Sequence, residues 1–119
     1  MNIEEIRTYC LSLNFVTEEF PFDDVSLVFK VAGKMFALLP LDTVEKSISL
    51  KCNPEKAVEL RSQYDFVTPG YHFNKKHWNT VYITPELSTG LLKEWILHSY
   101  NEVVNKFPKA KRNQILGDE

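Results

Sequence analysis

The sequence lacks the features that identify disulfide-stabilised or membrane proteins. Its 119 residues include two cysteines, Cys10 and Cys52, which are far apart and form no CxxC pair. No apolar run approaches the roughly 20 residues that cross a bilayer, and the N-terminus lacks the basic and apolar regions of a signal peptide. We therefore expect a cytoplasmic protein that binds no membrane and keeps both cysteines as small, buried, reduced side chains.

An excess of charge of one sign is also absent. The 14 Lys and Arg residues nearly balance 16 Asp and Glu residues, which leaves a net charge of −2. The charge is unevenly distributed along the chain, because residues 1–24 sum to −5, residues 25–84 to +3 and residues 85–119 to 0. The middle of the chain is therefore locally basic, which permits a positive face on a slightly acidic protein.

Apolar periodicity predicts three helices and several strands. Helical spacing covers residues 3–13, residues 54–64 after an Asn-Pro start, and a long stretch that begins after Ser88 and ends before Pro108. Alternation or short β-prone runs predict strands at residues 15–20, 46–52 and 77–84, and the Ala32-Gly33 pair predicts a hairpin over residues 25–39.

These elements predict an α+β fold in the order α-β-β-β-β-α-β-α. Hairpin spacing makes the sheet mainly antiparallel, and helices with one apolar stripe must cover one of its faces, so we expect a two-layer sandwich. We expect a single domain over residues 1–112 and a polar C-terminal tail over residues 113–119. A monomer is expected.

Residues 68–80 contain the densest set of chemically useful side chains. His72 and His77 form an H-x4-H pair, but no carboxylate or thiolate lies nearby to complete a metal site or orient a general base. We therefore expect no metal, no cofactor and no enzymatic activity. Lysines interleaved with aromatic residues are better suited to nucleic acid, because lysines neutralise phosphates and rings stack on bases. The alternative is that Tyr71, Phe73 and Trp78 are core residues and the lysines are merely solvated.

The alternation of residues 77–84 leaves two orientations open for Trp78. If Val81 and Ile83 pack under the helices, Trp78 and Tyr82 lie on the outer sheet face with the lysines of the neighbouring strands. If the orientation is reversed, Trp78 is in the core and His77 reaches the outer face.

Three segments resemble the MmcQ/YjbR family. They are Leu27 to Leu38 with its Gly-Lys-Met-Phe sequence, the strand from Ile48 ahead of Asn53-Pro54-Glu55, and Val67 to Val81 with its His-Trp-Asn-Thr sequence. The resemblance spans roughly residues 1–112 and includes the His-Ser-Tyr sequence of the last helix. Phe73 stands where a methionine is frequent, and Lys76 where an arginine is frequent. The resemblance implies a CyaY-like or secretion-chaperone-like α/β sandwich and a DNA-binding role, and it implies no catalytic residues.

The leading hypothesis is therefore a non-enzymatic domain that binds DNA or another nucleic acid. The alternative is a module that binds a protein or peptide, since a sandwich of this type can present its sheet face or an edge strand. The predicted nucleic-acid-binding residues come from the outer sheet face and the segment before Trp78. They are Lys30, Lys34, Lys51, Tyr71, His72, Asn74, Lys75, Lys76, His77 and Trp78.

Overall fold

The computed structural model describes residues 1–70 and 73–117, and within them it contains four helices and six strands. The helices are α1 (Ile3–Ser12), α2 (Pro54–Gln63), α3 (Thr89–Val104) and α4 (Lys109–Leu116). The strands are β1 (Val16–Glu19), β2 (Ser26–Val31), β3 (Lys34–Pro40), β4 (Ser47–Lys51), β5 (Val67–Pro69) and β6 (Trp78–Tyr82). The predicted α+β fold is confirmed.

The six strands form one antiparallel sheet in the order β1-β2-β3-β4-β6-β5. The β2–β3 hairpin turns at Ala32 and Gly33, whose φ angles are +48° and +85°. Two consecutive positive φ angles match the twist of the flanking strands, which is why two residues suffice for this turn. The crossover from β4 through α2 and β5 places β6 beside β4.

The helices cover one face of the sheet, as the apolar stripes predict. Trp95, Ile96 and Tyr100 of α3 are buried in the same core as Leu27 and Phe29 of β2. This confirms the predicted packing of the last long helix on the sheet. None of the helices in the described part of the chain combines the length and hydrophobicity that a bilayer crossing requires.

A serine hydroxyl attaches α3 to the middle of the sheet. Ser99 Oγ donates to the carbonyl oxygen of Phe36 at 2.6 Å and accepts from the backbone N–H of Lys51 at 2.8 Å. Because Ser99 is fully buried, these two bonds satisfy polar groups that water cannot reach. The segments of β3 and β4 around Phe36 and Lys51 are thereby held in place against the C-terminal half of α3.

Two short elements were not predicted from the sequence. β5 has three residues and ends in a proline, which is typical of an edge strand. α4 replaces the expected polar tail, because residues 113–116 continue the helix that begins at Lys109. Ile115 is 0% exposed, and its carbonyl oxygen accepts from the Asn14 side chain at 3.1 Å. The domain core therefore extends beyond residue 112, the predicted domain boundary.

Candidate nucleic-acid interface

The connections between elements gather at two ends of the sheet. At one end lie the β2–β3 turn, the β4–α2 connection, the described part of the β5–β6 connection (70 and 73–77) and the α3–α4 connection (105–108); we call this the lysine end. The hydrogen bond from Cys52 N–H to His77 O, 2.7 Å long, joins two of these connections. At the other end lie residues 20–25, 41–46, 64–66 and 83–88; we call this the acidic end. The bond from Ile83 N–H to Lys46 O, 2.9 Å long, joins two of these.

The two ends carry opposite charge. The lysine-end connections contain no Asp or Glu, and lysines lie in them or on the strand residues that border them: Lys34, Lys51, Lys75, Lys76 and Lys106. The acidic-end connections contain one lysine, Lys46, and six acidic residues: Asp23, Asp24, Asp42, Glu45, Asp65 and Glu86. The connections at the two ends therefore differ in charge, although the net charge of the chain is −2.

Three lysines surround one groove at the lysine end. Lys34, Lys51 and Lys106 line a cavity of about 260 Å³ together with Met35, Val103 and Phe107; we call it the lysine groove. None of the three ammonium groups has an ion-pair partner among residues 1–70 and 73–117. Three uncompensated positive charges around a partly apolar floor can hold an anionic group that also carries an apolar or aromatic part.

The β5–β6 connection presents two further lysines beside this groove. Its backbone turns tightly, because Phe73 N–H donates to Gly70 O and His77 N–H donates to Asn74 O, each at 3.1 Å. The side chain of Asn74 accepts from Lys76 N–H at 2.8 Å. Lys75 and Lys76 are exposed on this turn, and the preceding predicted site residues, Tyr71 and His72, lie outside the described residues.

Lys30, one of the predicted site residues, forms an ion pair with a neighbouring strand. It lies on the outer sheet face, and its ammonium group is 3.3 Å from a carboxylate oxygen of Glu19 on the edge strand β1. A phosphate at this position would have to compete with Glu19. Lys30 is therefore a weaker candidate contact than Lys34 or Lys51.

Trp78 lies on the outer face but is covered. It pairs with Lys51 across β4 and β6, while Val81 is buried under the helices, so the first of the two orientations is confirmed. Even so, Trp78 is only 7% exposed, because Phe73 lies over its ring with centroids 4.6 Å apart. On its other side, the Cα of Gly70 approaches so closely that a Cβ there would lie 2.8 Å from Trp78 Cβ. As placed, the indole anchors the β5–β6 connection and does not present its ring to a base.

Sequence reasoning missed four residues of the lysine groove. Met35 and Val103 belong to elements that were predicted only as apolar runs, and the other two are Lys106 and Phe107. They follow the C-terminus of α3 and precede Pro108, where the sequence pattern showed only the end of a helix. Further basic residues, Lys109, Lys111 and Arg112, follow on α4. The adjacent basic and aromatic residues, Lys106 and Phe107, were the available sequence signal for a binding site. The position of Lys106 beside Lys34 and Lys51 depends on the tertiary fold.

The cysteines and His98 are poorly suited to nucleophilic chemistry. Burial raises the pKa of Cys10 to about 12 and that of Cys52 to about 11, so both thiols stay protonated at neutral pH. His98 Nε2 accepts from the backbone N–H of Asn53 at 3.3 Å, which occupies one ring nitrogen. No group of three His, Cys, Asp or Glu side chains within residues 1–70 and 73–117 is placed to hold a metal ion.

Comparison with known proteins assigns the chain to a family. The YjbR family model matches residues 11–102. The chain belongs to the YjbR family. Among its relatives in Escherichia coli, YbdF is 40% identical over 111 residues, covering 93% of this chain and 89% of YbdF. YjbR itself is 32% identical over 116 residues, covering 98% of each chain.

Solved structures similar to this YjbR-family chain share its fold. The crystal structure of protein DR2400 from Deinococcus radiodurans has a TM-score of 0.89 and 40% sequence identity, and the match covers 99% of this chain and 89% of that one. A Pseudomonas syringae protein has a TM-score of 0.74 and 26% identity, covering 86% of this chain and 98% of that one. The YjbR and YbdF relatives are uncharacterised, so family membership gives the fold and no activity.

Proposed function

We propose that this YjbR-family domain binds nucleic acid through its lysine end and catalyses no reaction. The observation that carries the proposal is the lysine groove, where Lys34, Lys51 and Lys106 meet without a carboxylate partner among the described residues. Lys75 and Lys76 on the adjacent turn extend the positive surface beyond this groove. A series of lysines spread over several elements matches the repeated charges of a phosphodiester backbone better than a single small anion.

The groove also supplies a surface for a base. Phe107 and Met35 line it and are half-buried, so part of each side chain remains accessible. Aromatic side chains beside lysines suit single strands, because every exposed base offers a face for stacking. Phe107 therefore replaces Trp78 as the proposed stacking residue. Sequence-independent phosphate contacts and stacking predict a preference for flexible, single-stranded nucleic acid over a particular base sequence.

The acidic end favours one orientation of the domain as a nucleic acid approaches it. Its six carboxylates repel a polyanion, so a nucleic acid approaching the domain is steered toward the lysine end. The same carboxylates limit long-range attraction at a net charge of −2. We therefore expect modest affinity at physiological salt and a steep gain in affinity as the salt concentration falls.

Fluorescence anisotropy with labelled single-stranded DNA, duplex DNA and RNA tests the proposal. For duplex DNA, the slope of log affinity against log salt should shrink by about one for each phosphate-contacting lysine removed. The double variant Lys75→Ala/Lys76→Ala should therefore lose about two units of slope. The matched control is Lys46→Ala/Lys93→Ala, which removes the same charge from exposed positions away from the lysine end and should leave the slope unchanged.

Two results would contradict the proposal. In the first, the wild-type protein binds none of the three nucleic acids at low salt, where electrostatic affinity is greatest. In the second, the control variant weakens binding as much as the lysine-end variant, which would indicate only general electrostatic attraction.

A further inference from the structure

The outer sheet face contains a second, larger groove, which shares one lining residue, Met35, with the lysine groove. Its volume is about 760 Å³, and its floor follows β3 through Met35, Leu38 and Pro40. Phe22 from the β1–β2 connection and Phe73 from the β5–β6 connection contribute to its walls. We call it the β3 groove. An apolar floor between two aromatic side chains is a surface that buries apolar groups of a ligand.

The dimensions of the β3 groove fit an extended peptide. Met35 and Pro40 are five residues apart on one strand, which corresponds to about 16 Å at the rise of a β-strand. A peptide of about five extended residues spans this length. β3 lies between β2 and β4, so its backbone groups are already paired and it cannot accept an additional strand. A bound peptide must therefore be recognised through its side chains.

Phe22 is the most exposed aromatic side chain that lines the groove. It is 64% exposed, although it projects beside an apolar floor. Phe20, two residues earlier on the same connection, is 49% exposed but does not line the groove. Large exposed aromatic residues next to an apolar groove are typical of the anchor positions at protein interfaces.

Two carboxylates at one end of the groove indicate the charge of its occupant. Asp23 and Asp42 line the groove where it reaches the acidic end. The carboxylate of Asp23 is fixed in place, because it accepts from the backbone N–H groups of Val25 at 3.0 Å and Ser26 at 2.7 Å. These bonds lower the pKa of Asp23 and keep it ionised at neutral pH. A nearby cationic side chain would complement this end.

We propose that the β3 groove binds a linear peptide segment of a partner protein, with apolar side chains over Met35 and Leu38 and a Lys or Arg beside Asp23 and Asp42. This binding does not rest on the proposed nucleic-acid function, although the β3 groove shares Met35 with the lysine groove. The exposed Phe22 packs against the apolar side chains of the peptide. The two carboxylates place the basic residue of the peptide at the acidic end of the groove.

Selection from a random seven-residue peptide library displayed on phage, with the full-length chain immobilised, tests the proposal. Enriched sequences should carry a basic residue beside aromatic or aliphatic residues. Anisotropy of the most enriched peptide should show roughly tenfold weaker binding to Phe22→Ser, since an anchoring side chain is lost. Asp42→Asn should weaken binding by up to about fivefold, as expected for an exposed charge pair. Phe20→Ser is the matched control and should bind as wild type does.

Three outcomes would overturn the proposal. One is that no sequence is enriched on the wild-type protein over the Phe22→Ser protein. Another is that the selected peptide binds Phe22→Ser and Phe20→Ser equally well. The third is a wild-type dimer in sedimentation analysis that Phe22→Ser dissociates, because a second copy of this chain would then be the occupant of the groove. Both substituted phenylalanines are largely exposed, so circular dichroism should show both variants folded.

Discussion

Gly70→Ala should destabilise the domain by about 1–3 kcal/mol, the usual cost of overpacking a well-filled site. An added Cβ would lie 2.8 Å from Trp78 Cβ and 3.1 Å from both the carbonyl carbon and oxygen of Trp78. Ordinary carbon–carbon contacts are about 3.5–4.0 Å. The backbone segments around Gly70 and Trp78 must therefore separate by several tenths of an ångström or more. Two of the three obstructing atoms are backbone atoms, which no rotamer change can move.

The separation would also disturb the turn that carries Lys75 and Lys76. Gly70 N–H donates to Trp78 O at 2.9 Å, and Gly70 O accepts from Phe73 N–H, so Gly70 joins the start of the turn to β6. We therefore expect Gly70→Ala to weaken nucleic-acid binding as well as stability. Phe73, which covers the Trp78 ring, should become more accessible in the variant.

Urea unfolding followed by tryptophan fluorescence measures the effect, with Gly90→Ala as the matched control. Gly90 lies near the start of α3, and a Cβ there would meet nothing within 4 Å. Since alanine favours a helix by up to about 1 kcal/mol over glycine, the control should be neutral or slightly stabilised. A Gly70→Ala protein as stable as wild type would refute the packing described for Gly70 and Trp78.

Three further predictions concern Trp78, Asn53 and His98. Trp78→Ala should lower the free energy of unfolding by about 3–5 kcal/mol in urea titrations, because it removes a large buried aromatic side chain. Asn53→Ala should cost about 1 kcal/mol, since the Asn53 side chain accepts from the N–H groups of Glu55 and Lys56 at the start of α2. Burial, followed by the nearby Lys56 charge, holds the pKa of His98 below its ordinary value of 6.5. The unfolded chain therefore binds the proton first, so stability should fall as the pH drops below about 6.5, and His98→Gln should reduce this dependence in unfolding measured from pH 5 to 8.

Local sequence signals predicted most of the fold. The alternation of Leu27 and Phe29 with Val28 assigned the helix-covered face of β2, because side chains on a strand point to opposite sides at every step. The Ala-Gly pair located the hairpin turn, and the Asn-Pro pair located the start of α2. In each case the residues that carry the information are within a few positions of the element they specify.

Contacts between distant segments account for what the sequence did not predict. The β5–β6 pairing and the α4 packing depend on partners far away in the chain, such as Asn14 beside Ile115. Alternation left two orientations open for Trp78, and only the fold shows that it lies on the outer face and is covered by Phe73. Likewise, Lys106 is separated from Lys34 by most of the chain, and no local pattern indicates that they share a groove.

The pairing of Lys30 illustrates a related limit. The alternating pattern of β2 correctly predicted that the side chain of Lys30 lies on the outer face of the sheet. No local pattern indicated that β1 would bring Glu19 within 3.3 Å of its ammonium group. Whether an exposed lysine is available to a ligand depends on cross-strand neighbours, and these follow from the strand order.

A nuclear magnetic resonance titration tests whether nucleic acid binds at the lysine end. Amide signals of ¹⁵N-labelled protein are followed as a short single-stranded oligonucleotide is added at low salt. Binding at the lysine end predicts shifts at Lys34, Lys51, Lys76 and Lys106, together with unchanged signals at Asp42 near the opposite end. Shifts confined to the acidic end or spread evenly over both ends would contradict it.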